Sequence, residues 1–326
     1  MGNSFVFPAP KSTYEASKYD PTLITIPTMV ENNKCHTFAC YARKTEVNIP
    51  CRYILTKTQK SPYLIIFFHG NSEDIGPKLS QFLSIFAERF SMNVLCPEYP
   101  TYGIYKNRNT AVSMEEALIE DATKVIKYAH QELKYPYENI ILVGRSLGTG
   151  IAIRMGTEFK LRGVIVVSAY TGIRDVAKKL VGKVLAKVVP NILRSIDIVD
   201  QLKCPILYIH GARDTLILPE MSKKLYEKTT TPKELKICPN MTHNEFKYEP
   251  DFFSPIEEFM LNKLSLAQYI LNLASCETYP LESLITKGVS QYLVDQLEDE
   301  SDSPKQRSSK HLSTVFKEDM KTESNL

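Results

Sequence analysis

The chain has 326 residues, 43% of them apolar, enough for one large packed core or two ordinary ones. Its net charge of +3 is too small for bulk electrostatics to imply a nucleic-acid partner. Seven cysteines, at 35, 40, 51, 96, 204, 238 and 276, are odd in number and form no CxxC pair, which argues against a disulfide framework or a zinc site and for a reducing compartment.

The N-terminus reads Met1-Gly2-Asn3-Ser4 and lacks the charged start and apolar stretch of a secretory signal. Gly2 is a candidate for myristoylation, although Val6 stands where the pattern favours Ser or Thr. Residues 1–20 are read as an N-terminal segment close to a membrane. Runs rich in β-formers at 23–29, 37–42 and 47–55 predict three early antiparallel strands. The apolar run 63–68 predicts a strand buried on both faces. A helix follows over 78–90, with Leu79, Phe82, Leu83, Phe86 and Phe90 on one face. A strand at 93–96 precedes a long helix at 113–133, where Ser113 and Glu116 have the spacing of a capping box.

Further strands are predicted at 139–143, 164–167, 206–209 and 234–238, and helices at 147–158, 219–228 and 254–264. Strand and helix alternate at crossover spacing from 63 to 264. That rhythm predicts a mainly parallel, doubly wound α/β sheet with helices on both faces, in one domain over 21–285. No run approaches the ~18 apolar residues of a membrane-spanning helix. Residues 286–326 are read as the end of a helix and a tail too polar to repay ordering.

Residues 171–203 interrupt the rhythm. Ile173, Val176, Ala177, Leu180, Val181, Val184, Leu185 and Val188 share one helical face, and Arg174, Lys178, Lys179, Lys183 and Lys187 fill the other, up to Pro190. One reading is a surface helix packed on the sheet. The other is a short helical lid over an apolar substrate, or a surface that touches anionic membrane.

The predicted strand at 139–143 ends in Gly144-Arg145-Ser146-Leu147-Gly148, just before a predicted helix. A serine projecting from a tight strand-to-helix turn needs small residues two places to either side, as here. The pattern makes Ser146 a candidate nucleophile. Its hydroxyl needs a base, and on such a sheet the partners follow in the order serine, acid, histidine. Of His210, His243 and His311, only His243 lies just past the last predicted strand; His210 reads as a structural residue of a turn. Asp175, Asp197, Asp200 and Asp214 are acid candidates, and Asp214 alone follows closely on a strand end. An oxyanion would be met by the backbone N–H groups of Leu147 and Asn71, the latter in Phe68-His69-Gly70-Asn71 after the buried strand. His69 precedes the nucleophile and reads as shaping that loop.

With these residues in place, the chain resembles the α/β-hydrolase superfamily and, within it, the domain-17 group of protein depalmitoylases. The likeness runs from about Phe7-Pro8 to Leu264. It is carried by Phe68-His69-Gly70-Asn71, Glu98-Tyr99, Tyr102-Gly103, Gly144-Arg145-Ser146-Leu147-Gly148, Pro205 to Gly211 leading to Asp214, and His243-Asn244. The resemblance implies the α/β-hydrolase fold, a lid at 171–203 and a serine hydrolase that removes thioester-linked palmitate from proteins on membranes. This chain departs from the group in three ways, one of them the polar C-terminal tail, which has no clear counterpart there. It has no cysteine before Cys35, where the depalmitoylases carry an acylated cluster, and Thr101 replaces a glycine between the two tyrosine-containing pairs.

The reading is a palmitoyl-protein hydrolase with Ser146, Asp214 and His243 as its triad. Its substrates would be S-acylated proteins or lipid acyl esters, without metal or organic cofactor. The expected location is cytoplasmic, with peripheral contact on the cytoplasmic face of membranes. A lipid esterase or a serine aminopeptidase-like enzyme is the alternative on the same fold, and a non-catalytic scaffold is the alternative of another class.

Overall fold

The computed structural model describes residues 9–16, 20–32, 43–57, 61–106, 108 and 112–269. The predicted strand at 37–42, Gly2, Cys35, Cys40, Cys276, His311 and the tail from 286 lie outside the described residues. Met1–Pro280 form one unit; the second, Leu281–Leu326, lies outside them as well.

Among the described residues eight strands make one sheet: β1 (Leu23–Asn32), β2 (Arg43–Ile54), β3 (Leu64–Phe68), β4 (Asn93–Pro97), β5 (Ile140–Arg145), β6 (Gly163–Val167), β7 (Ile206–Gly211) and β8 (Lys233–Cys238). Their order is β1-β2-β4-β3-β5-β6-β7-β8. β1 pairs antiparallel with β2, and β2 with β4. From β4 to β8 every pairing is parallel. The helices are α1 (Pro77–Phe90), α2 (Met114–Gln131), α3 (Leu147–Glu158), α4 (Ile173–Leu185), α5 (Pro219–Lys228) and α6 (Ser254–Asn262), with a single helical turn at Ser195–Ile198.

Alternation along each buried strand divides the core into two layers. Leu64, Ile66 and Phe68 of β3 face a cluster that takes Val125 and Ile126 of α2, Ile151 and Met155 of α3 and Leu225 of α5. Ile65 and Phe67 face the other, with Leu83 and Phe86 of α1 and Ile256 and Phe259 of α6. Burying one such side chain is worth roughly 1.5–3 kcal/mol, so the two layers outweigh any local propensity. Local signals still set boundaries. Ser113 accepts from the Glu116 N–H and Glu116 accepts from the Ser113 N–H, so the predicted capping box starts α2. Cys51, Cys96, Cys204 and Cys238 are free and buried. Part of the N-terminal segment packs on this body: Tyr14 is buried, and its hydroxyl donates to Glu98 Oε2 at 2.8 Å.

The insertion differs from its predicted form. The apolar spacing at 173–188 expects one continuous helix, and one reading lays its apolar face on the sheet. α4 instead breaks at Gly182, whose φ of 81° is open to glycine at little cost, and none of its residues is buried. Only Ile173 and Val176, at its first turn, pack in part against the core. Among the described residues, no helix is long and apolar enough to cross a membrane.

Candidate active site

β5 ends at Arg145 and α3 begins at Leu147, so the turn between them is one residue, Ser146. Its φ of 50° and ψ of −114° lie outside the regions that side-chain-bearing residues ordinarily occupy. Such a conformation costs of order 1–3 kcal/mol and persists only where its surroundings fix it. The Ser146 N–H donates to Val167 O at 2.9 Å, and Ser146 O accepts from the Thr149 N–H at 3.0 Å and hydroxyl at 2.7 Å. The flanking glycines are obligatory for close approach. A Cβ on Gly144 would sit 2.5 Å from Gly148 O, and one on Gly148 would collide with Phe68 O. A serine at a helix N-cap ordinarily turns its hydroxyl to the first N–H groups. Ser146 makes no such bond, which leaves the hydroxyl for another partner.

That partner is His243. The Ser146 hydroxyl donates to His243 Nε2 at 3.1 Å, and His243 Nδ1–H donates to Asp214 Oδ2 at 2.8 Å. The three residues, 97 and 29 positions apart along the chain, form one hydrogen-bonded line. Asp214 is 2% exposed, and its Oδ1 accepts the N–H groups of Leu216 at 3.0 Å and Ile217 at 2.9 Å. Burial alone would raise its pKa. Contacts with His210 and His243 and the Ile217 N–H outweigh that and hold the carboxyl well below the usual carboxylate range. The acid therefore stands ionised beside the imidazole.

The other sequence candidates sit elsewhere. His210 is fully buried; its Nε2–H donates to Ile217 O at 2.8 Å, and Nδ1 meets Ser222 Oγ at 2.7 Å. It braces the turn that carries Asp214. Asp175 bonds Thr171 and Lys178, Asp197 bonds Arg194, and Asp200 pairs with Lys228.

Asn71 and Leu147 line the same cavity as Ser146. Leu147 opens α3, so its N–H has no intrahelical acceptor. The Asn71 loop is held from below. The Tyr99 hydroxyl donates to His69 O at 2.7 Å, and the Tyr102 hydroxyl donates to Asn71 Oδ1. His69 is fully buried, stacks on Tyr99 with ring centroids 3.9 Å apart, and faces Glu98 Oε1 at 3.3 Å. Burial pushes the His69 pKa down, but Glu98, Glu73 and Gly70 O outweigh it and raise it. The cavity measures about 250 Å³, and Val176, Ala177, Leu180 and Val181 of α4 form one wall. A second cleft of about 540 Å³ shares Asn71 with this cavity and is lined by Glu73, Arg145 and Asn244 together with Phe67, Phe82 and Phe246.

Among solved structures the chain superposes on the esterase Pf2001 of Pyrococcus furiosus with a TM-score of 0.57, covering 78% of this chain and 99% of that one at 17% identity. It superposes on acetyl xylan esterase 1 of Thermoanaerobacterium sp. with a TM-score of 0.52, covering 72% and 87% at 16% identity. The chain has the α/β-hydrolase fold. In sequence the chain is similar to the alpha/beta hydrolase domain-containing protein aho-3 of Caenorhabditis elegans, 27% identical over 201 residues, which are 61% of this chain and 58% of that protein. It is similar to the alpha/beta hydrolase domain-containing protein 17B of Homo sapiens, 25% identical over 232 residues, 69% of this chain and 76% of that one. The match thus spans less than two thirds of the nematode protein's length. No protein-family profile matches the chain.

Sequence reasoning passed over one residue of this site. Arg145, the last residue of β5, donates to Glu73 Oε1 at 3.1 Å, His243 O at 3.0 Å and Asn244 Oδ1 at 3.2 Å. Glu73 Oε1 in turn accepts the Gly70 N–H at 2.5 Å. One guanidinium therefore ties the serine turn to the Asn71 loop and the histidine loop. The only signal in the sequence is a charge at a position whose neighbours must be small. Thr101 has a φ of 75°, which a β-branched residue holds only under strain.

Proposed function

We propose that the protein is a serine hydrolase of acyl esters or thioesters, with palmitoyl-protein (S-acyl cysteine) hydrolysis as its leading activity. The observation that carries the reading is the line Ser146–His243–Asp214 opening on an apolar cavity. The likeness to domain-17 proteins and to esterases supports it.

The chemistry follows from the geometry. Ser146 Oγ attacks the acyl carbonyl carbon as His243 Nε2 takes its proton, and the ionised Asp214 stabilises the imidazolium. The carbonyl oxygen gains negative charge, which the Leu147 and Asn71 N–H groups meet. Collapse breaks the carbon–sulfur bond, and His243 returns its proton to the departing thiolate. Water then attacks the acyl-enzyme, giving its proton to His243, and the free acid and Ser146 hydroxyl are regenerated. The acyl chain would lie along α4, and the thiol-bearing segment would leave by the second cleft, which shares Asn71. Peripheral contact with the cytoplasmic face of membranes belongs to this reading.

A fluorophosphonate probe tests it, run on the wild type and Ser146→Ala with a palmitoyl thioester as competitor. Ser146→Ala should lose labelling and about 10⁶-fold in kcat while its circular dichroism is unchanged. Labelling of wild type that the thioester does not block would move the activity to lipid esters or peptides. Equal labelling of both proteins, or of neither, would refute Ser146 as nucleophile.

A further inference from the structure

The apolar side chains of the insertion divide at Gly182. Before it, Val176, Ala177, Leu180 and Val181 wall the cavity at Ser146, with Leu180 and Val181 also reaching solvent at the rim. After it, Val184, Leu185 and Val188 turn to water, with Val184 78% and Val188 85% exposed. A contiguous apolar patch beside a site marks an interaction surface. The patch is also charged at its edge. Within residues 173–189 stand Arg174 and four lysines against a single acid, Asp175. Asp175 is already engaged by Lys178 at 2.7 Å. Among the described residues, no carboxylate pairs with Lys179, Lys183 or Lys187.

The occupant follows from charge and from the cavity's extent. A helix with aliphatic residues on one side and lysines on the other suits the boundary between acyl chains and anionic headgroups. The cavity, at about 250 Å³, is smaller than the roughly 300–1,000 Å³ of ordinary ligand pockets. A long acyl chain entering it would still trail past Leu180 and Val181, toward Val184 and Leu185. We infer that α4 and the turn Ala186–Val188 dock this protein on an anionic lipid surface. Val184, Leu185 and Val188 enter the acyl boundary, Lys179, Lys183 and Lys187 meet the headgroups, and the cavity mouth opens at the membrane. This rests on the acyl-hydrolase reading for why the surface adjoins Ser146; the docking itself needs no catalysis.

Cosedimentation of the unacylated full chain with vesicles tests it, using phosphatidylcholine alone and phosphatidylcholine mixed with phosphatidylserine. The wild type should bind the mixed vesicles and bind the neutral ones weakly. The double variant Val184→Glu/Val188→Glu should lose about ten-fold or more in partition to mixed vesicles. Lys179→Gln/Lys183→Gln/Lys187→Gln should lose the serine-lipid preference, by about five-fold per lysine at low salt. Both variants should hydrolyse a soluble p-nitrophenyl butyrate as the wild type does, and Ser146→Ala should bind vesicles while losing hydrolysis. Partition of the wild type that neither variant lowers, or no partition at all, overturns the docking whatever hydrolysis shows. A concentration-dependent dimer, abolished by Val184→Glu/Val188→Glu and without vesicle binding, would assign the face to a second copy and overturn the lipid surface. Absence of hydrolysis in a wild type that binds vesicles would overturn the hydrolase reading alone.

Discussion

Two helices flank Ser146, and they are held in opposite ways. α3 buries nine of its twelve residues, and its first turn is locked by close backbone contacts with β3 and β5. α4 buries none of its residues and breaks at Gly182. The groups proposed for bond-making sit on the first kind of support: Asp214 is held by two backbone N–H groups, and Arg145 ties three loops. The groups proposed for substrate contact sit on the second. Reacting atoms need placement within fractions of an ångström, whereas an acyl chain needs only an apolar wall. Substitutions on the first support should therefore change rate, and those on the second should change substrate preference.

The acid offers the largest break in that contrast. Asp214→Asn should lower kcat by about 10⁴-fold, because the amide no longer fixes the imidazole tautomer. It should also change stability against pH. The folded pKa of Asp214 lies below its unfolded value, so its ionised form stabilises the fold above the unfolded carboxylate pKa of roughly 4. That contribution is lost as pH falls through and below this range. Urea midpoints on descending from about pH 6 to pH 3 should fall more steeply for the wild type than for Asp214→Asn. Parallel curves would mean that the carboxyl is not depressed.

Arg145→Gln comes next. It releases the histidine and Asn71 loops without touching the reacting atoms, and should cost about 10²-fold in kcat at unchanged KM. A change confined to KM would place Arg145 in substrate binding instead. On α4, Leu180→Trp should shift the kcat/KM ratio of long over short acyl esters by about ten-fold. The same variant should keep its unfolding free energy in urea within about 0.5 kcal/mol of the wild type, as expected where Leu180 is 56% exposed. The smallest effect belongs to Thr101→Gly. It relieves a left-handed β-branched residue and should raise stability by about 1 kcal/mol at an unchanged urea m-value.

The same contrast explains what could be read from the sequence. β3, β5 and β6 were legible because strands buried on both faces must be continuous apolar runs, and α1 because Leu79, Leu83, Phe86 and Phe90 must share a stripe. The line from Ser146 to His243 was legible because a parallel sheet brings its strand ends to one edge. Arg145 was not, since its partners lie 72 and 98 positions away and no local pattern names them. The break in α4 was missed because apolar spacing counts positions and is blind to φ; a glycine inside the pattern was the only hint.

The short turn after Asp214 serves the cavity wall and the acid at once. Leu216 and Ile217 line the cavity, and their N–H groups hold Asp214 Oδ1. The Ile217 carbonyl is itself pinned by His210. A ligand too bulky for the cavity presses on the same turn that aims the carboxylate at His243. On the proposed activity, misfit inside the cavity would then be felt as misalignment at the acid, so a chain branched close to its carbonyl would be rejected in the rate of reaction even when it is admitted to the pocket.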